Sequence, residues 1–240
     1  DEVKYKLAGF IAMLCMAGVI FGLSQAEKEQ PNVRVHQHLQ DIPEKCDCDN
    51  SQLCTHLPLV VIETGGEDIP GAIVGSNAQN ADDSVQQYTT AADGSEMLSV
   101  KVSVMDDPDK RHHPDDDPDV ESSALIRIRG NSSRRFDKKN YLLRFTDKKG
   151  DYQEEEIMGM DAHYEWALHG PYLDKSLIRN YMWYNIAGEI MDYSPNVRFC
   201  EVILNGKYIG LYLMTETITN GEDSRLNISE PVEDTTETGY

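Results

Sequence analysis

The residues best placed to do chemistry lie between Arg127 and Lys149, which read R-I-R-G-N-S-S-R-R-F-D-K-K-N-Y-L-L-R-F-T-D-K-K. Nine bases and two acids give this stretch a local charge of +7, inside a chain whose formal charge is -20. A Gly-Asn-Ser-Ser turn ringed by cations offers hydroxyls, a tight backbone and positive potential, the combination that selects an anion and above all a phosphate. Arg129, Asn131, Ser132, Ser133, Lys138 and Lys139 are therefore the candidate anion contacts. The competing reading is a solvated basic hairpin that offsets the acidic stretch before it. Neither G-x-G-x-x-G nor G-x-x-x-x-G-K-[ST] occurs here, so the common phosphate-loop fingerprints are absent. Arg179 and Glu216 are added to the set, the first on a predicted helix and the second at the end of a predicted strand.

A second constellation is C-D-C-D-N-S-Q-L-C-T-H, which holds Cys46, Cys48, Cys54 and His56, with His36 and His38 upstream. Thiolates and imidazoles this close together suit zinc. The spacing lacks the paired C-x-x-C, and a disulfide such as Cys46 to Cys54, or ordinary thiols, are the alternatives. Cys200 falls in a predicted strand and reads as a core residue. Asp115, Asp117 and Asp119 imitate the start of a calcium loop, but Val120 stands where that loop needs glycine. No G-x-S-x-G or H-E-x-x-H is present.

These residues need a scaffold. With 240 residues, 40% hydrophobic, the chain can bury one domain's core. Its net negative charge argues against extended nucleic-acid binding, which needs many phosphate-neutralising cations. Leu57–Glu63 reads as a buried strand, and 97–105 alternates as a half-exposed one. The stretch 106–121, with eight acids, two bases and three prolines, reads as an insertion loop. Ala124–Arg129 and Asn140–Phe145 flank the basic turn as strands, with Ile126 and Ile128 on one face and Arg127 and Arg129 on the other. A helix is expected over Asp174–Met191, capped by Asp174. Asn205-Gly206 between apolar runs 199–204 and 207–214 predicts a type I′ hairpin. Trp166 and Trp183 are assigned to the core. This order predicts an α+β fold with a mainly antiparallel sheet.

Residues 7–24 carry no charge and reach roughly 27 Å as a helix, enough to span a bilayer. Lys4 and Lys6 before this run place the remainder outside. Residues 1–26 are thus a signal anchor, or a signal peptide cut near Ser24-Gln25-Ala26, and the domain is membrane-anchored and extracellular, or secreted. Residues 27–56 form a polar linker and 57–240 the globular domain. The start at Asp1 and the stop at Tyr240 suggest a fragment.

Taken in order, I-R-I-R-G-N-S-S-R-R-F-D-K-K-N-Y-L-L-R-F, E-W-A-L-H-G-P-Y-L-D-K-S-L-I-R-N and F-C-E-V-I-L-N-G-K-Y-I-G-L-Y-L-M-T-E resemble the CotH kinase family, the spore-coat protein H type. The resemblance implies an atypical protein-kinase-like small lobe with one packed helix. It also implies ATP with Mg or Mn as cofactors and a protein serine substrate. Arg129, Lys139 and Lys138 would meet phosphate, and the Thr215–Glu216 edge would meet adenine. The family's metal-binding carboxylates would lie downstream of Tyr240, so no catalytic residue is assigned here. A non-catalytic spore-coat or cell-surface scaffold is the alternative.

Overall fold

The computed structural model describes residues 34, 36–43, 46–49, 51–74, 87–191, 193–219 and 225–226. The apolar run 7–24, expected to anchor the chain, lies outside them. Among the described residues, no helix is long and apolar enough to cross a membrane.

A unit running from His36 to Tyr240 contains every element described below. Its strands are β1 (Leu59–Glu63), β2 (Ile73–Val74), β3 (Gln87–Tyr88), β4 (Leu98–Met105), β5 (Val120–Arg129), β6 (Asn140–Thr146), β7 (Glu155–Ile157), β8 (Met160–His163), β9 (Glu165–His169), β10 (Val197–Leu204) and β11 (Lys207–Glu216). Helix α1 spans Arg179–Ile190. Seven strands close into a barrel in the order β1-β10-β11-β9-β6-β5-β4.

This corrects the expected α+β kinase-type lobe. The molecule is mainly β, with a closed barrel and a single α-helix among the described residues. Closure comes from β1, which runs parallel to β10 (Leu59 level with Glu201) and antiparallel to β4 (Leu59 level with Met105). One strand thereby satisfies both edges of a sheet that would otherwise stay open, and a barrel leaves no unpaired edge.

Alternation fills the interior. Val100, Val102 and Val104 of β4, Ala124, Ile126 and Ile128 of β5, Tyr141, Leu143 and Phe145 of β6, and Trp166 and Leu168 of β9 face inward with Cys200, Val202, Tyr212 and Met214. Trp166 is fully buried, as expected, but Trp183 is not: it lies on the outer face of α1, 61% exposed.

The Asn205-Gly206 turn forms with φ of 49° and 74°, both left-handed, as a type I′ hairpin requires. Helix α1 starts later than the pattern suggests. Leu177 takes φ 64° and interrupts the run, so the helix begins at Arg179. Asp174 still serves its start from a distance, its carboxylate accepting the Arg179 N–H at 2.9 Å and the Ser176 N–H at 3.0 Å. Upstream, Gln37 exchanges two hydrogen bonds with the Phe199 backbone, at 2.7 and 3.0 Å, just before the point where β1 begins to pair with β10.

Candidate functional site

The basic turn joins β5 to β6, where Arg129 is level with Asn140. Gly130 has φ 118°, and a Cβ there would collide with the Ser133 hydroxyl, so glycine alone fits. Ser132–Arg135 then form one 3-10 turn.

The cations divide by what they touch. Arg134 is structural: it donates to the Gly130 carbonyl (2.5 Å) and the Gly71 carbonyl (2.7 Å) and stacks over Tyr88 at 4.2 Å. Lys139, expected to meet phosphate, instead donates to the Arg134 carbonyl at 2.9 Å and closes the turn. On the barrel's outer face, Arg144 pairs with Glu165 at 2.7 Å.

Lys138 is different. Its ammonium lies 4.7 Å from the centre of the Tyr212 ring and makes no ion pair or hydrogen bond among the described residues. Two glycines make room for it. A Cβ at Gly170 would stand 2.9 Å from Lys138 Cγ and 3.0 Å from the Tyr212 ring, and one at Gly210 would stand 3.1 Å from Lys138 Nζ. Neither glycine was singled out from the sequence, although each follows an apolar strand segment within the quoted motifs. Burial lowers the Lys138 pKa, the signature of an ammonium held out of full hydration.

His169, at the end of β9, belongs to the same corner. Burial lowers its pKa first, and the positive charges of Arg129 and Lys138 add to the effect against the opposing pull of Asp174. Arg129 itself is exposed, as are Asn131 and Ser132, while Ser133 is half-buried. A cleft of about 470 Å³ whose lining includes Thr64, Glu67, Asp68, Ile128, Tyr141 and Asn205 is separate from these cations, none of which lines it. The arrangement is an anion-receptive corner: one half-buried ammonium in no ion pair among the described residues, with Glu201 as its opposing charge, one exposed guanidinium, and a turn bearing two hydroxyls.

Two of the residues assigned from the sequence are not brought into it. Glu216 lies six residues along β11 from Gly210, roughly 20 Å away at strand spacing. Its buried carboxylate accepts the Asn196 N–H at 2.7 Å and lies 3.8 Å from Arg225. That guanidinium in turn lies 4.5 Å over the Trp166 ring. Arg179 points to solvent and pairs with Asp174 at 3.5 Å.

At the end of the barrel where β4 passes to β5, the cysteines converge. Cys46 Sγ is 3.0 Å from Cys48 Sγ, 3.2 Å from Cys54 Sγ and 3.5 Å from His113 Nε2. All four donor atoms lie within 4.8 Å of one another, and no disulfide joins these sulfurs. The fourth partner is His113 of the acidic loop, where the sequence suggested His56; that residue is exposed and outside the cluster. Hydrogen bonds from Cys48 hold the Cys46 thiol down at about 6, the contact with Cys46 pushes Cys54 up to about 11, and the contact with Cys48 raises His113 to about 9. Among the described residues, this is the grouping of His, Cys, Asp and Glu donors dense enough for a metal, and no such carboxylate cluster accompanies the basic turn.

Comparison with known proteins places this geometry. Residues 126–231, from mid-β5 past the end of β11, match the family described as CotH kinase protein. The inner spore coat protein H of Bacillus subtilis (strain 168) is similar: 34% identical over 93 residues, covering 39% of this chain and 23% of that protein. The chain thus spans under a quarter of that relative's length.

Proposed function

We propose that the Lys138 corner binds the polyphosphate of a nucleotide, ATP in the first instance, as the capture element of a CotH-type phosphotransferase acting on a protein serine at a spore coat or cell surface. One observation carries this reading: Lys138 is half-buried over Tyr212 and makes no ion pair among the described residues, burial outweighing the pull of Glu201, and it lies beside Arg129 and His169. Removing an ammonium from water is costly unless an anion compensates. Gly170, just after β9, and Gly210, within β11, keep the space for that lysine. Arg129 adds a second cation within reach of the same anion, and Lys139 acts by fixing the turn.

The residues present fit a polyphosphate better than they fit its metal, because among the described residues no carboxylate cluster stands at the corner. Mg or Mn would be held by the acidic residues that the family resemblance puts downstream of Tyr240, and these would complete transfer. Glu216 is left out of nucleotide contact, since its carboxylate is committed to Asn196 and Arg225. The same commitment gives weight to a second reading, a non-catalytic binding module at the same surface.

The test is calorimetric titration of the full-length protein with ATP and Mg, and separately with tripolyphosphate. Lys138→Ala and Arg129→Ala are each expected to weaken binding about ten- to a hundredfold, as charge-assisted contacts worth about 1.5–3 kcal/mol do. Lys149→Ala, exposed on the far side of β6, should leave binding unchanged. Unaltered affinity in both corner variants, or no binding of either ligand, refutes the proposal.

A further inference from the structure

We propose that Cys46, Cys48, Cys54 and His113 together bind one zinc ion in a closed, four-ligand structural site that staples the polar segment before β1 to the β4–β5 loop. The site is separate from the phosphate corner and does not depend on it.

Four donors meet at one point from segments 59 or more residues apart in sequence, Cys46 to Cys54 on one side and His113 on the other. A tetrahedral zinc with sulfur at about 2.3 Å and nitrogen at about 2.0 Å separates its ligand atoms by about 3.5–3.8 Å. The observed 3.0, 3.2 and 3.5 Å would open by under about 1 Å to admit it. Three thiolates and one imidazole form a soft set that favours zinc over the hard cations calcium and magnesium.

The imidazole is oriented as a ligand should be. Asp116 Oδ2 lies 3.3 Å from His113 Nδ1 and also accepts the His113 backbone N–H at 2.8 Å. Placing the ring proton on Nδ1, toward this carboxylate, leaves the lone pair of Nε2 facing the sulfurs. A carboxylate behind a ligating histidine is the usual way to fix its tautomer and ring angle.

A disulfide accounts for the cluster less well. A bond between Cys46 and Cys54 would consume two sulfurs and leave Cys48 and the aligned His113 without a role, whereas a metal uses all four groups. The fold also gives zinc a task. The loop between β4 and β5 holds three prolines and mostly charged residues, so it has little apolar surface to bury. Among the described residues its attachment to the segment before β1 is polar: the Thr55–His112 bridge, with backbone bonds of 3.1 and 2.8 Å beside the cluster, a His112 Nδ1 contact with the Leu57 carbonyl at 2.9 Å, and a Gln52 bond to Asp115 at 3.4 Å. A metal cross-link stabilises such a junction where a hydrophobic core cannot.

The experiment uses full-length protein purified without chelator under reducing conditions, with zinc measured per chain by mass spectrometry. One zinc per chain is expected in the wild type. Cys48→Ser and His113→Gln should each lower zinc affinity at least tenfold, and His56→Gln should not. Cobalt in place of zinc should give the intense visible bands of tetrahedral thiolate coordination. Stripping the wild type with chelator should raise hydrogen exchange in 46–55 and 106–119 while the barrel strands stay protected, a readout that stands even if a variant fails to fold. Zinc-free wild type after reconstitution, equal zinc affinity in His113→Gln, or a quantitative disulfide among Cys46, Cys48 and Cys54 in metal-free protein would each overturn the proposal.

Discussion

Gly71→Ala is the most direct probe of how the phosphate corner is held. Gly71 lies on the strap before β2, beside the end of β5, with φ 98°. Its neighbour Pro70 accepts the Ile128 N–H at 2.8 Å, and its own carbonyl accepts Arg134 Nη1 at 2.7 Å. A methyl group there would lie 2.7 Å from the Ile128 carbonyl oxygen and 2.9 Å from Arg134 Nη1. The oxygen is backbone and cannot swing aside, so the strap must lift. The forced positive φ costs about 1–3 kcal/mol, and two weakened hydrogen bonds add about 1 kcal/mol each, giving about 3–5 kcal/mol. For a chain of this size that is a fall in melting temperature of about 10 °C, with loss of protection at the Ile128 amide in native-state hydrogen exchange. Gly206→Ala is the matched control: φ is 74° but nothing lies within 4 Å of the new methyl, so only about 1 kcal/mol of strain is expected. If Gly71→Ala costs no more than Gly206→Ala, the interlock between strap and turn is not what holds the corner.

Two further outcomes test the assignments by other routes. Glu216→Gln should lower stability by about 2–4 kcal/mol in chemical denaturation, because it leaves the buried Arg225 guanidinium without its carboxylate. The same variant should keep ATP affinity within about twofold; a larger loss would return Glu216 to the nucleotide site. Burial holds both His163 and His169 below the ordinary histidine value, so the folded state takes up protons less readily than the unfolded chain. Their contribution is complete above pH 6.5 and is lost as pH falls through the lowered folded values. His163→Asn should flatten that part of the stability profile, and an unchanged slope would place the effect elsewhere.

Much of this was legible locally. The alternation of Val100, Val102 and Val104 marks β4 whatever surrounds it, since a strand half-buried on one face must repeat every two residues. Asn205-Gly206 dictates its turn through backbone sterics alone. The excess of positive charge between Arg127 and Lys149 is a property of composition and stands in any fold. The Asp174 carboxylate was correctly linked to the helix start, but its distance from that start was not, because Leu177 adopts a conformation that no pattern announces.

What the linear chain determined, then, were its strands, its chief turn, its basic stretch and the three cysteines that draw together. Only the tertiary structure decided which cations stay free, since Arg134 and Lys139 are spent on carbonyls presented by the folded backbone while Lys138 is not. It alone brought His113 to Cys46 across 67 residues and carried Glu216 away from the turn, because closure of the barrel by β1 fixes which strand ends face each other. Periodicity reports the neighbours of a residue along the chain. Strand order sets its neighbours in space, and the chemistry of this protein depends on those.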